Sequence, residues 1–228
     1  MQGRDATATL STPAGAQVTI SVSQIDIAND ETQDPRLFED DYDVASATGF
    51  RVWEASSVFV TLLRQPDVQR QFAGQCVLEL GSGTGFLAMA AASIGAHVLA
   101  TDTRTVTLES IAPNIERNCC QCVASQHLHP ISGFVAVGRR AVGAGSVAAA
   151  ALDWHTDARQ QLSAAGIQPH FSFDIILAAD CIWLLDVAAP FVNTLCCLMP
   201  SGCPSLALLC FQNRAHDQST AFVKLDQV

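Results

Sequence analysis

An apolar run, Val77-Leu78-Glu79-Leu80, enters three glycines at alternate positions, Gly81, Gly83 and Gly85, and leaves through Phe86 and Leu87 into an alanine-rich stretch. Glycines there permit a tight turn and let a ligand approach the backbone, and the start of the following helix offers free N–H groups. A second apolar run, His97–Thr101, ends at Asp102. An acid at the end of a second strand, about 20 residues past such a loop, suits the two hydroxyls of a ribose. The dinucleotide fingerprint is G-x-G-x-x-G, whereas Phe86 fills the last glycine slot here. Glu79, inside the strand end, is foreign to a pyrophosphate site and suits a cationic amino-acid group. S-adenosyl-L-methionine is therefore the expected cofactor.

These residues need strands to carry them. The spacing predicts strands over Cys76–Leu80, His97–Thr101, Val147–Leu152, Phe173–Ala179 and Ser205–Phe211, with helices over Phe86–Ile94, Val106–Cys119, Thr156–Ala165 and Val187–Leu198. Such alternation argues for a mainly parallel sheet covered on both faces. Ahead of it, Gln17–Ile27 alternates as a strand, an acidic linker follows, and Ala55–Leu63 has helical spacing. Residues 123–146, with five glycines or prolines, read as a long irregular connection.

Composition narrows the partners. A hydrophobic share of 49% with 15% charged residues excludes a disordered chain. No apolar run is long enough to span a membrane, and the polar N-terminus lacks a signal peptide's apolar core. Acids outnumber bases 22 to 12, and no Lys/Arg cluster offers a phosphate-binding face, so nucleic acid is not expected. The acids concentrate between Asp30 and Asp43 as a solvated linker, or as a negative lip for a basic substrate. Nine cysteines, an odd number in apolar settings, read as reduced thiols of a cytoplasmic or nuclear protein, and Cys119–Cys122 lacks zinc-ligand spacing. A monomer is expected.

From Gly49 to Arg214 the chain resembles the family 16 protein methyltransferases, the lysine methyltransferases related to the valosin-containing-protein lysine methyltransferase. The resemblance rests on Gly49–Ala55, Glu79–Gly85, Asp102, Leu152–Trp154, Phe173–Trp183 and Leu209–Arg214. It implies a Rossmann-like seven-strand methyltransferase domain over residues 49–228, preceded by an extension over 1–48. It further implies that Trp53 lies over the cofactor and that Gly81, Ser82 and Gly83 contact its methionine portion. Asp102 would hold the ribose, Trp154 would border the adenine, and Ala179 would touch the cofactor. Asp180 would open the acid-x-x-aromatic motif beside the methyl-transfer centre. That motif usually ends in Tyr or Phe, and here it ends in Trp183. Little sequence remains after the fifth strand, so a shortened sheet edge and a short helix over Ala221–Leu225 are expected.

The implied reaction is methyl transfer to a protein lysine. Asp180 and Trp183 are the expected catalytic residues, Asp180 orienting the ammonium. Two alternatives stay open on the sequence: methylation of a small amine, or a module that binds cofactor or partner without catalysis.

Overall fold

The computed structural model describes residues 4–25, 48–119, 133–134, 138–182, 185–199, 202, 204–212 and 220–226. The chain opens with an antiparallel hairpin of β1 (Arg4–Ser11) and β2 (Gln17–Gln24), joined through Thr12–Gly15. β2 is the strand expected over Gln17–Ile27. β1 escaped sequence reading because its Ala/Thr alternation has little hydrophobic contrast.

Two helices, α1 (Glu54–Leu62) and α2 (Pro66–Phe72), precede the sheet. Next come β3 (Cys76–Leu80), α3 (Phe86–Ser93) and β4 (His97–Asp102). The single turn α4 (Arg104–Val106), a π-helical turn (Thr107–Ile111) and α5 (Ala112–Cys119) follow. The remainder is β5 (Arg140–Val142), β6 (Gly145–Ala151), α6 (Ala158–Ala164), β7 (Ile175–Ala179), α7 (Leu185–Leu198), β8 (Leu206–Gln212) and β9 (Thr220–Asp226).

The strands form one sheet in the order β5-β6-β4-β3-β7-β8-β9. Its five inner strands are parallel and both edge strands are antiparallel. This is the mainly parallel sheet that the alternation implied and the Rossmann-like seven-strand architecture that the resemblance implied. Parallel strands buried on both faces read as unbroken apolar runs, as β3 and β7 do, with every residue buried. Strand neighbours diverge at β3, which leads to β4 on one side and meets β7 on the other. Ligands bind beyond the carboxyl ends of strands at such a point.

Two apolar layers cover the sheet. On one face, Leu162 of α6 and Phe191, Leu195 and Leu198 of α7 pack against Leu78, Leu80, Leu99 and Ile176. On the other lie α1 and α3. Helix α3 is apolar all round, and all eight of its residues are buried. A helix of that kind needs cover on its outer side as well. The hairpin supplies it: Leu10, Val18, Ile20 and Val22 join the same apolar cluster as Phe86–Ala92.

Three expectations need correction. Residues 221–225 are not helical, because β9 pairs antiparallel with β8 from Leu206↔Asp226 to Gln212↔Thr220 and extends the sheet. The irregular connection contains β5, antiparallel to β6. The helix expected over Val106–Cys119 is interrupted by the π-turn. Pro113 has no N–H for the Glu109 carbonyl, and a widened turn before it accommodates the missing α-bond. The acidic stretch Asp30–Asp43, Cys120–Cys122, Trp183, Asn213 and Arg214 lie outside the described residues, as do residues 123–132. No helix among the described residues is long and apolar enough to cross a membrane.

Behind the sheet, one side chain ties α7 to the approach of β7. The Arg159 guanidinium donates to the carbonyls of Phe171 (2.9 Å) and Pro169 (3.4 Å), and to Cys197 (3.1 Å) and Leu198 (3.4 Å) at the end of α7. A planar fork reaches both pairs of carbonyls, whereas an ammonium is a single point of donation. Arg159→Ala should lower stability by about 1–2 kcal/mol, as loss of charged hydrogen bonds at a partly exposed site does, and Arg159→Lys should recover less than half. Urea denaturation with an unchanged m-value checks both.

Candidate functional site

The glycine loop is the hinge of the site. β3 must turn sharply into α3, and Gly81, Gly83 and Gly85 take φ of 65°, 56° and 74°. Side chains rarely adopt that region. Space forbids them too: a Cβ on Gly81 would lie 2.7 Å from Cys181 Sγ and 3.5 Å from Trp154 Cη2. One on Gly83 would lie 3.2 Å from the Gly49 carbonyl oxygen.

Asp102, at the end of β4, closes this loop. Its Oδ2 accepts the Gly83 N–H at 2.8 Å and its Oδ1 accepts the Thr103 N–H at 2.8 Å. Ser82 fastens the same two strand ends. Its N–H donates to the Thr101 carbonyl at 2.9 Å, and its Oγ accepts the Thr101 N–H at 3.0 Å. The Ser82 side chain therefore shapes the loop from behind. Thr101, which sequence reading passed over, donates through Oγ1 to the Glu79 carbonyl at 2.6 Å.

Asp180 follows β7 in the left-handed region, with φ of 53°, alone in this among the described residues other than glycine. Its Oδ1 accepts the Gln212 N–H of β8 at 2.8 Å, and its Oδ2 accepts the Ala55 N–H in the first turn of α1 at 3.3 Å. The side chain thus joins three elements at the carboxyl edge of the sheet. A carboxylate is well placed at a helix start, where free N–H groups and the helix dipole favour negative charge.

Trp53 caps α1 and is half-buried. Its Nε1–H donates to the Thr48 carbonyl at 3.0 Å, and the Arg51 guanidinium lies 4.9 Å above its ring. The segment carrying it faces Gly83 through the carbonyls of Gly49 and Arg51. Trp154, just past β6, packs edge-on to Phe191 at 5.1 Å, and its Nε1 is buried without an acceptor among the described residues. Ala179 ends β7 and is buried. The structure therefore brings Gly81, Ser82, Gly83, Glu79, Asp102, Trp154, Ala179 and Asp180 to one edge, with the Trp53 segment against the loop. Trp183 lies outside the described residues.

Cys181, unassigned by sequence reading, occupies the centre. Its thiol donates to the Leu80 carbonyl at 3.0 Å. Burial, then the charges of Asp102, Glu79 and Asp180, push it well above its ordinary 9.0. It is a packing thiol rather than a nucleophile, held between the end of β3 and Gly81.

Glu79 is the most confined of the three, at 1% exposure. Burial drives its carboxyl up to about 8; hydrogen bonds from Ser82 and the Ala88 N–H hold it down, and the Asp102 charge adds a smaller upward push. Among the described residues its Oε2 is buried without a partner. An exposed glutamate releases its proton near 4.5, so across pH 4.5–8 the folded protein holds a proton that the unfolded chain has lost. Stability should therefore fall as pH rises through that window. In thermal melts, wild type should lose Tm between pH 5.5 and 8 and Glu79→Gln should lose measurably less; equal losses would show that another group sets the trend.

Comparison with known proteins shows the family to which the chain belongs. The family model described as lysine methyltransferase matches residues 32–228. Among curated relatives, the chain is 28% identical over 144 residues to the protein N-lysine methyltransferase METTL21A of Danio rerio and 31% identical over 144 residues to that of Mus musculus. Each alignment covers 63% of this chain and 52% of the relative. The protein-lysine methyltransferase METTL21E of Bos taurus is 29% identical over 147 residues, covering 64% of this chain and 41% of that protein. The alignments thus span about half the length of the relatives or less. Among solved structures, the T. thermophilus 16S rRNA methyltransferase RsmC, in complex with AdoMet and guanosine, is similar with a TM-score of 0.48 at 20% identity, covering 91% of this chain and 42% of that one. The O-methyltransferase of Bacillus cereus in complex with SAH follows with 0.41 at 19% identity, covering 77% and 69%. Matched over most of its length by the family model, the chain belongs to the lysine methyltransferase family.

Proposed function

We propose that this protein is an S-adenosylmethionine-dependent methyltransferase that modifies lysine side chains of another protein. The observation carrying this reading is the set of three carboxyl groups, Glu79, Asp102 and Asp180, at the ends of adjacent strands β3, β4 and β7 around a glycine loop. Such a site suits a ligand with two cationic centres and a ribose, and an amine acceptor beside it.

The residues present fit that cofactor. The unpartnered Glu79 Oε2 suits an ammonium, and the unpartnered Trp154 Nε1–H suits a ring nitrogen acceptor. Gly81 and Gly83 leave backbone bare where a Cβ would intrude on Cys181 or Gly49. Asp102, at the end of β4 beside the loop, is the acid placed for ribose hydroxyls, Ala179 presents a small side chain at the end of β7, and Trp53 would cover the cofactor from the α1 side. S-adenosylmethionine, when bound, supplies a methyl group on a cationic sulfur.

The protein's own contribution is alignment and charge. An incoming lysine carries its proton at neutral pH, with an ordinary pKa near 10.4, and must lose it to expose a lone pair. Asp180 draws the ammonium to the carboxyl edge and fixes its direction. Two of its acceptor positions are already taken by Ala55 and Gln212. That pinning makes Asp180 an orienting group rather than a mobile base. Desolvation between the site walls then favours the neutral amine. The wall role given to Trp183 rests on the sequence motif alone.

Labelled cofactor added with the purified protein to a cell extract tests the reading. Label should enter a protein band and survive on lysine after hydrolysis, whereas label confined to small molecules would redirect the reading to a metabolite acceptor. With the acceptor in hand, Asp180→Asn should slow single-turnover transfer by about 100-fold, the scale of a small misalignment, with S-adenosylhomocysteine affinity nearly unchanged. Asp102→Ala should instead weaken S-adenosylhomocysteine by about 1.5–3 kcal/mol, the range for hydrogen bonds to a charged group. The reverse pattern would exchange the two assignments.

A further inference from the structure

Helix α5 buries two asparagines, Asn114 and Asn118, at 4% and 0% exposure. Both face the edge of β2. Asn118 Oδ1 accepts the Ser21 N–H at 2.9 Å and its Nδ2 donates to the Ser21 carbonyl at 2.8 Å. Asn114 repeats this with Ser23, accepting its N–H at 2.9 Å and donating to its carbonyl at 3.3 Å. Four helical residues advance about 6 Å and two strand residues about 6.6 Å, so the two amides sit in register with every second residue of β2 and complete its open edge.

Asn114 makes one further bond. Its Nδ2 donates at 3.1 Å to the carbonyl of Thr84, the residue between Gly83 and Gly85. Beyond the Ser82–Thr101 bonds, the loop is thus held at the Gly83 N–H by Asp102 and at the Thr84 carbonyl by Asn114. The hairpin end reaches the same place by a second route. The Ile25 N–H donates to the Phe50 carbonyl at 2.9 Å, and Gln24 Oε1 accepts the Val52 N–H at 2.9 Å, in the segment that faces Gly83.

We propose that Asn114 is a positioning residue for the cofactor loop, coupling the N-terminal hairpin to the conformation in which Gly81–Gly85 receives S-adenosylmethionine. The proposal rests on the methyltransferase reading and assigns the hairpin a part in cofactor binding beyond covering α3. Asn118 serves as the internal control, since its bonds reach the hairpin and α5 but not the loop.

Two measurements on the full chain test it: amide hydrogen exchange of the cofactor-free protein, and calorimetric titration with S-adenosylhomocysteine below all melting temperatures. Asn114→Ala should speed exchange across residues 82–86 and weaken S-adenosylhomocysteine by about tenfold, the upper range for one hydrogen bond. Asn118→Ala should lower Tm by a comparable amount while leaving loop exchange and affinity within about threefold, below the effect of losing a loop contact. Asn114→Ser, too short to reach Thr84, replaces the alanine variant should that one not fold. Wild-type loop exchange and affinity in the Asn114 variant would overturn the proposal, as would equal losses in the Asn118 variant. A wild-type protein that does not bind S-adenosylhomocysteine would defeat the methyltransferase reading itself, and the exchange comparison would still decide whether Asn114 holds the loop.

Discussion

The bond between the Gly83 N–H and Asp102 Oδ2, at 2.8 Å, is the contact on which the site depends. It joins the loop after β3 to the end of the neighbouring strand β4, beside the point where the chain's strand order reverses. Without it the loop would have an unpaired N–H, and the carboxyl edge of the sheet would lose its fixed outline. Everything else at that edge is arranged around a loop already closed: Ser82 fastens it to Thr101, Cys181 fills the space beside Gly81, and the Gly49–Trp53 segment lies across Gly83. The bond also explains why glycine is needed at this position. The φ of 56° is one that side chains rarely adopt, and a Cβ there would press on the Gly49 carbonyl oxygen at 3.2 Å.

Three carboxyl groups close together at the edge of a sheet are costly unless something offsets their charge. Asp102 and Asp180 are offset in part by backbone N–H groups, two for each. Glu79 is handled differently, and keeps its proton up to about pH 8. A cation placed against its free oxygen would reverse that balance and favour the ionised form. The proposed cationic ligand would thus find its favourable charge partner in Glu79. The left-handed backbone at Asp180 belongs to the same arrangement. Sparsely populated conformations persist where surrounding contacts hold them, and here bonds to α1 and β8 supply the hold.

Much of this was legible in the sequence because the parallel strands are buried on both faces. Cys76–Leu80 and His97–Asp102 stand out as apolar runs, and the glycine spacing and strand-end acid mark the site between them. The edges were harder to read. β9 lies over an apolar run too short for its period to separate strand from helix, and β1 offers only alternating alanine and threonine. The π-turn depends on Pro113, whose effect is felt in the turn before it. Asn114 and Asn118 carry a faint signal, two polar residues one turn apart flanking Ile115 on an otherwise amphipathic helix. Their partners on β2 are more than 90 residues away, so no local pattern could name them. The carboxylate of Asp180 was legible as a motif residue, but its bonds to Ala55 and Gln212 arise only when three elements meet.

The proposed cofactor site consists of the glycine loop and the strand-end carboxyl groups. Amide hydrogen exchange of the wild-type protein with and without S-adenosylhomocysteine tests it most directly, since it reports both whether the ligand binds and where. The account requires slowed exchange at residues 79–86, 102–104 and 179–182, with the rest of the sheet little changed. Binding that leaves the loop amides unprotected, or no protection at saturating concentration in the folded protein, would contradict it.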